Sequence, residues 1–135
     1  MRNPALLAAV LMAAASPALA QGDAPSGLTA SKLAPLTGER IYKEVCAACH
    51  MPDGKGGTGA ATIPALAGNQ RLGAAAYPIV TVMIGKGVMQ GFDGVLTKAQ
   101  IAMVVGYIRT NLGNSYPAPV TEADVLKIAA GNPHR

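Results

Sequence analysis

Two cysteines and a histidine stand together in one short segment, and their spacing could do chemistry. Cys46-Ala47-Ala48-Cys49-His50 has the pattern C-x-x-C-H. Two cysteines one helical turn apart can each add to a vinyl group on the same edge of a porphyrin, and the histidine that follows can place its imidazole under the iron. The pattern predicts one covalently attached haem c, with Cys46 and Cys49 as the attachment residues and His50 as a metal ligand.

Three other uses of the same residues are open. A redox-active C-x-x-C is typical of a thioredoxin-like strand and helix, a context that the flanking sequence lacks. A structural zinc site needs four ligands, and beyond Cys46, Cys49 and His50 the chain offers the distant His134. A disulfide between the two cysteines would close a tiny loop and contribute little stability.

Helical periodicity indicates which elements must position these residues. Apolar residues recur at helical spacing over residues 38–49, which places C-x-x-C-H at the end of a first helix. The apolar stretch over residues 74–84 predicts a second helix, with Pro78 in its first turn, where a missing N–H is tolerated.

Two capping signals predict the remaining helices. Thr97 and Gln100 have the spacing of a capping box at the start of an amphipathic helix, which Gly113 is expected to end at the C′ position. Thr121 and Asp124 precede one more short helix. No stretch alternates with period two for long enough to predict a sheet. The predicted fold class is all-α, with three to four short helices separated by glycine-rich loops.

The composition supports a large buried prosthetic group. The chain has 135 residues, of which 50% are apolar and 13% are charged, and it contains one Phe, four Tyr and no Trp. Such a small number of aromatic residues makes a meagre core, which a haem would complete. The formal net charge of +4 comes from scattered Lys and Arg without a basic run, which argues against a nucleic-acid partner.

The first twenty residues have the features of an export signal. Arg2 precedes an apolar stretch, and Ala18-Leu19-Ala20 is a small-x-small cleavage pattern. We predict a signal peptide over residues 1–20, with a retained membrane anchor as the alternative. No later apolar run is long enough for a membrane span. A flexible arm over 21–37, a haem domain over 38–114 and a tail with a short helix over 115–135 complete the expected organisation, with the periplasm as location.

Residues 38–114 resemble the class I monohaem cytochromes c. The pattern Gly38-x3-Tyr42-x3-Cys46 is similar to the family's N-terminal helix, where a small residue and an aromatic pack against the C-terminal helix. Tyr107 resembles the aromatic on the other side of that crossing. The resemblance implies a cytochrome c-like fold, in which the short helices wrap around one covalently attached haem.

The resemblance also implies how the proximal histidine is held. Ile63-Pro64-Ala65-Leu66-Ala67-Gly68 is similar to the family's segment whose proline carbonyl accepts a hydrogen bond from that histidine. Carried over, the carbonyl of Pro64 would accept from Nδ1–H of His50. This bond would fix the tautomer and the ring plane and would make the imidazole a better donor to iron.

A methionine as sixth ligand is a further implication of the resemblance. Met89 stands alone in a glycine-rich loop, and Gly85-Lys86-Gly87-Val88-Met89 resembles the family's distal loop. Met51 follows His50 too closely to reach the opposite face, whereas Met83 and Met103 are expected to be core residues of their helices. An open iron site and His134 are the alternatives. Gln90 departs from the family pattern, in which Pro often follows the ligand, and this puts the rigidity of the iron–sulfur bond in doubt.

The expected function is one-electron transfer rather than enzyme catalysis. The resemblance extends to cytochrome modules that serve bacterial periplasmic dehydrogenases, so a dehydrogenase subunit or its dedicated electron acceptor is expected. A free shuttle to a terminal oxidase is the alternative, and an enzyme or gas sensor with an open iron site is another. Lys55 and Lys86 could steer acidic partners. Five apolar residues are candidates to line the haem: Leu66, Val80, Ile84, Phe92 and Val104.

Overall fold

The computed structural model of the chain describes residues 37–59, 61–116 and 119–131. The predicted signal peptide (residues 1–20), the predicted arm as far as residue 36, and His134 lie outside the described residues. Of the helices that are described, none is long and apolar enough to cross a membrane.

The first helix, which we call α1, consists of three consecutive segments. Gly38–Ile41 and Ala47–His50 are α-helical, and Tyr42–Cys46 between them is a π turn, in which the N–H of Ala47 donates to the carbonyl of Tyr42. The side chain of Thr37 caps the start by accepting from the N–H of Arg40, at 3.3 Å. The helix predicted over 38–49 is confirmed, while the π turn was not predicted. Such turns are rare, and a large share of those that occur lie at functional sites.

Three more helices follow at the predicted places. Helix α2 is Ala76–Ile84, preceded by a 3-10 turn over Gln70–Gly73. Helix α3 is Lys98–Thr110, and both hydrogen bonds of its predicted Thr97/Gln100 capping box are present. Helix α4 is Glu122–Ala130, with a second capping box between Thr121 and Asp124.

The end of α3 differs from the prediction. The helix stops at Thr110 with Asn111 as its C-cap, so the C′ position belongs to Leu112 rather than Gly113. Leu112 has φ 57° and Gly113 has φ 75°, so two consecutive residues adopt the left-handed region. Gly113 therefore takes part in the turn that ends the helix, but at the position after C′ rather than at C′ itself.

Two short antiparallel hairpins correct the all-α prediction. Strands β1 (Gly57–Thr58) and β2 (Thr62–Ile63) form one, and strands β3 (Gly85–Lys86) and β4 (Met89–Gln90) form the other. The prediction of no sheet is wrong for these stretches. Each strand has two residues, which is too short for a period-two pattern to be visible in the sequence.

The core forms where α1 crosses α3. A Cβ at Gly38 would overlap the carbonyl of Met103, so only glycine allows the two backbones to approach this closely. The rings of Tyr42 and Tyr107 pack beside this contact, with their centroids 5.5 Å apart and their planes tilted by 40°. The crossing expected from the resemblance is therefore present.

Helix α4 also belongs to this core. Its buried residues Val125 and Ala129 join the cluster that α1, α2 and α3 form. The short helix predicted in the tail is confirmed, and its apolar face packs onto the rest of the fold.

Candidate functional site

The two cysteines and the histidine lie together at the C-terminal end of α1. Cys46 is half-buried and packs against the core, Cys49 is exposed, and the two are not joined as a disulfide. Because residues three apart are neighbours on a helix surface, both thiols project from one side of α1. His50 is buried and is the last residue of the helix.

The His50 imidazole is held by the backbone of another segment. Its Nδ1 lies 3.1 Å from the carbonyl oxygen of Pro64. A carbonyl can only accept a hydrogen bond, so Nδ1 carries the proton in this contact, and in the neutral imidazole Nε2 then keeps its lone pair. The imidazole therefore has one nitrogen fixed by the protein and the other chemically available as a metal ligand.

Residues 51–69, which begin directly after His50 and include Pro64, form what we call the proximal segment. Gly56 donates to the carbonyl of His50, at 3.1 Å, and Leu66 donates to the carbonyl of Gly54, at 2.7 Å. A Cβ at Gly56 would overlap the carbonyl of Ile63, so the loop folds back tightly on itself. This packing brings Pro64 to His50, although fourteen residues separate them.

Two buried polar side chains of α3 and its C-terminal turn anchor the proximal segment and the 3-10 turn that follows it. Asn114 donates from Nδ2 to the carbonyls of Leu66 and Ile108, at 2.9 and 2.8 Å, and its Oδ1 accepts from the N–H of Asn69, at 3.1 Å. Arg109 donates to the carbonyls of Leu72 and Gly73, at 2.8 and 3.1 Å. The sequence analysis missed both residues. Their partners are far away in sequence, and no local motif marks such contacts.

Met89 lies in what we call the distal hairpin, residues 85–93. It is half-buried, packs against the core and is paired with Lys86 in the β3–β4 ladder. The hairpin is attached to α2 by backbone bonds from Phe92 to Val82, at 2.9 Å, and from Asp93 to Met83, at 3.1 Å. The glycine-rich loop of the sequence is therefore an ordered hairpin.

The other methionines occupy different environments. Met83 is buried in the core, as predicted. The prediction that Met103 is a core residue is wrong, because its side chain is 47% exposed. The crossing with Gly38 is made by the Met103 backbone, which turns the side chain outward. Met51 directly follows His50 and is 42% exposed.

Comparison with known proteins identifies the family. Residues 34–108, more than half of the chain, match the family described as cytochrome c oxidase, cbb3-type, subunit III. This chain belongs to that cytochrome c family. It is also similar to two proteins named alcohol dehydrogenase (quinone), cytochrome c subunit, from Gluconacetobacter polyoxogenes and Komagataeibacter europaeus. Each is 39% identical over 117 residues, which cover 76% of this chain and 24% of the relative. The chain thus spans about a quarter of the length of these curated relatives.

A cytochrome c carries covalently bound haem, so the prosthetic group is haem c and the chain is an electron-transfer module rather than an enzyme. The donor set fits this group: two free thiols on one side of a helix, an imidazole whose Nδ1 is bonded to the backbone, and a half-buried thioether.

Burial raises the pKa of the Cys46 thiol to about 12. This is the opposite of the lowered pKa of a redox-active C-x-x-C. The described residues contain no group of three or more His, Cys, Asp or Glu placed to hold a metal ion.

The expected apolar lining of the haem divides into two groups. Val104 is buried in the core, and Leu66 and Phe92 are partly buried against it. Val80 and Ile84 line an open, mainly apolar groove of about 480 Å³ on the outer face of α2, and Ile84 is 44% exposed. Their face of the helix is opposite the buried face, so these two are placed differently from the other three.

The two lysines considered in the sequence analysis have different surroundings. Lys55 pairs with Asp53 at 3.1 Å, and its hydrogen bonds lower the pKa of the Asp53 carboxyl. Lys86 lies 5.5 Å from the centre of the Tyr77 ring, with Arg71 at 6.0 Å. A hydrogen bond with Arg71, together with the charge of Lys86, lowers the pKa of the Tyr77 phenol. The positive charge beside the distal hairpin is therefore close to an aromatic ring, while that of the proximal segment is largely neutralised by a carboxylate.

Proposed function

We propose that this chain is an exported one-electron carrier that serves as the cytochrome subunit, or the dedicated electron acceptor, of a periplasmic dehydrogenase. One observation carries the proposal. The helix that bears C-x-x-C-H ends in a histidine whose Nδ1 is committed to the Pro64 carbonyl, which leaves Nε2 available.

Five residues have proposed roles at the haem. Cys46 and Cys49 would form the two covalent attachments, and His50 and Met89 would be the two protein ligands of the iron. The Pro64 carbonyl positions His50 and increases the basicity of its imidazole. The free thiols at one helix end and the packing of Met89 against the same core as Cys46 support this assignment.

These roles favour electron transfer over substrate chemistry. Haem c supplies an iron that accepts and releases one electron. With His50 and Met89 both bound to it, the iron would have no position left for a substrate. Thioether ligation favours the reduced state and raises the reduction potential. Partly buried apolar side chains such as Leu66 and Phe92 act in the same direction, because an apolar environment disfavours the additional positive charge of the oxidised state.

The assignment of a partner rests on the relatives and on charge. Two relatives are named as cytochrome c subunits of a quinone alcohol dehydrogenase, which supports a dehydrogenase as electron donor. The matched region is a quarter of those proteins, so the substrate of any dehydrogenase that this chain serves is a separate question. Lys86 and Arg71, next to an exposed apolar groove, suit a partner with carboxylates around its docking site.

The proposed location is the periplasm. The charged start, the apolar stretch and the Ala18-Leu19-Ala20 pattern support export with cleavage after Ala20. Covalent haem attachment to an exported chain agrees with this location. Determining the N-terminal residue of the purified protein tests it: Gln21 is the expected first residue.

The test of haem attachment and ligation uses the full chain expressed with a c-type haem maturation system. Mass spectrometry should show one haem that acidic organic solvent does not extract, and the oxidised protein should show the weak long-wavelength band of iron–sulfur ligation. Met89→Ala should lose that band, whereas Met103→Ala, which shortens an exposed methionine of α3, should keep it. A colourless chain would overturn the proposal, and loss of the band in Met103→Ala alone would overturn the choice of Met89.

The free shuttle remains the second candidate, because the matching family is described as an oxidase subunit. Affinity purification from the native membrane and periplasm separates the two. A dehydrogenase subunit should co-purify with a larger flavin, molybdenum or quinoprotein chain, whereas a shuttle should elute alone. Ready binding of carbon monoxide to the reduced protein would instead favour the open-site alternative.

A further inference from the structure

We propose that the Tyr42 hydroxyl is a positioning group for His50, because it holds the backbone turn that leaves α1 directly after that residue. The proposal rests on the proposed role of His50 as an axial ligand. It adds a residue that does not touch the metal but fixes the peptide next to the ligand.

The turn at Met51 has an unusual backbone conformation. Met51 has φ 64° and ψ 156°, a combination that glycine adopts readily and that other residues adopt only where their surroundings hold them. Leu112 is the other non-glycine residue with positive φ in the described part of the chain. The residue directly after the C-x-x-C-H helix is therefore strained, and contacts from other parts of the chain must hold it in this conformation.

Tyr42 provides that support. Its hydroxyl donates to the Met51 carbonyl at 2.6 Å, and the N–H of Gly54 donates to the same oxygen at 3.1 Å. The Tyr42 side chain is fully buried, and its ring packs against Tyr107. Because packing fixes the ring, the hydroxyl has little freedom to move away from the carbonyl that it holds.

The π turn links Tyr42 to the haem attachment residues. It begins at Tyr42 and ends at Cys46, so it separates the start of the helix from the Cys46–His50 region. The hydroxyl contact spans this irregular part and joins Tyr42 to the residue after His50. The π turn interrupts the regular helical hydrogen bonds. The hydroxyl contact can therefore fix the orientation of the last turn across this interruption.

The turn at Met51 affects the position of His50 through two hydrogen bonds. Its ring is bonded to Pro64, and its carbonyl accepts from Gly56. Both partners lie in the proximal segment, which starts at Met51. If the Met51 peptide relaxes toward an ordinary φ, the segment that holds the ring moves relative to the helix that carries it. Neighbours that orient an imidazole in this way determine its strength as a ligand.

The test compares Tyr42→Phe with Tyr107→Phe in the haem-loaded full chain. Each variant removes one hydroxyl from the same aromatic pair and keeps both rings. Tyr42→Phe should shift the reduction potential and the paramagnetic NMR signals of the His50 ring, and retain the iron–sulfur band. It should also accelerate amide exchange at Gly54 and Gly56 about tenfold, the ratio for one hydrogen bond of ordinary net strength. Tyr107→Phe should leave these quantities close to the wild-type values.

A second pair of variants tests the mechanism. Met51→Gly removes the strain at positive φ, so Tyr42→Phe on that background should have a much smaller effect on potential, ring signals and exchange. If Tyr42→Phe alone does not accumulate, comparison of the double variant with Met51→Gly still gives the result. Equal effects of Tyr42→Phe and Tyr107→Phe, or an undiminished effect on the glycine background, would overturn the inference. A wild-type protein without a His50-ligated haem would instead overturn the proposed function, while the exchange measurement at Gly54 would still test the hydroxyl contact.

Discussion

The proximal segment and the distal hairpin carry the two proposed axial sides of the haem, and they are held by different kinds of contact. In the proximal segment, side chains bond to backbone groups: Tyr42 to Met51, His50 to Pro64, and Asn114 to Leu66. In the distal hairpin, backbone bonds run from residues 92 and 93 to α2. There, as at Gly56 in the proximal segment, the fit also depends on missing side chains, because a Cβ at Gly85 or Gly91 would overlap neighbouring backbone.

This difference predicts that the loss of a side chain affects the two regions differently. A region held by side-chain donors is damaged when a side chain is removed, because buried carbonyls and N–H groups lose their partners. A region held by close backbone approach is damaged when a side chain is added. The hairpin also shows what orders the backbone around Met89 and Gln90. Without a proline after Met89, the pairing with β3 and the two bonds to α2 provide the order.

Removal of Asn114 should have the largest effect, and it tests the proximal side. Asn114→Ala removes three hydrogen bonds to buried backbone groups, so we expect a loss of about 3 kcal/mol in the free energy of unfolding. The measurement is denaturation by guanidinium chloride. Asn111→Ala is the matched control, because the exposed Asn111 side chain bonds only within the end of its own helix and should cost less than about 1 kcal/mol. Equal losses in the two variants would contradict the anchoring role of Asn114.

Addition of a methyl group at Gly85 tests the distal side. Gly85 has φ 78°, and its Cβ would overlap the Met89 carbonyl, so Gly85→Ala should cost about 2 kcal/mol and weaken the iron–sulfur band. Gly87 has φ 60° but open space around its Cβ position. Gly87→Ala therefore carries only the conformational cost of about 1 kcal/mol and should keep the band. If both variants lose the band equally, close backbone approach does not position Met89.

The same two regions show how far sequence alone could go. The helix starts at Thr97 and Thr121 were predictable because a capping box lies within four residues. C-x-x-C-H is equally local, and Pro64 was expected from the family resemblance. Asn114 was not predictable, because it bonds to Leu66 across 48 residues and an isolated asparagine after a helix usually indicates only a turn.

Failures of prediction have related causes. Met103 fits the apolar spacing of α3, yet the contact with Gly38 uses its backbone and leaves its side chain exposed. The distal hairpin has two residues in each strand, and no periodic signal exists at that length. In both cases the local sequence fits either outcome, a buried or exposed side chain at Met103 and a hairpin or loop at residues 85–93. Tertiary packing selects the one that is observed.

Charge reversal on each side should have a moderate effect, on electron-transfer rates rather than on stability. Lys86→Glu places a negative charge at the distal hairpin, where Tyr77 and Arg71 are the neighbours, and it should slow association with an acidic partner about tenfold at low salt. Lys55→Glu makes the same change of charge on the proximal side, outside the lining of the proposed docking groove, and should have a smaller effect. Stopped-flow electron transfer at several salt concentrations measures both. A larger effect at Lys55 would place docking on the proximal side.

The smallest effect concerns pH, and it tests what the Tyr42 phenol contributes on the proximal side. Burial raises the pKa of Tyr42 from 10.0 to about 12, so the folded chain retains the phenol proton where the unfolded chain has lost it. The stability that this group contributes is complete below pH 10 and is lost as the pH rises toward 12. Tyr42→Phe should therefore show a shallower decline of the free energy of unfolding across this range, since the titrating lysines are common to both proteins. Parallel curves for the two proteins would mean that the Tyr42 proton does not contribute to the decline.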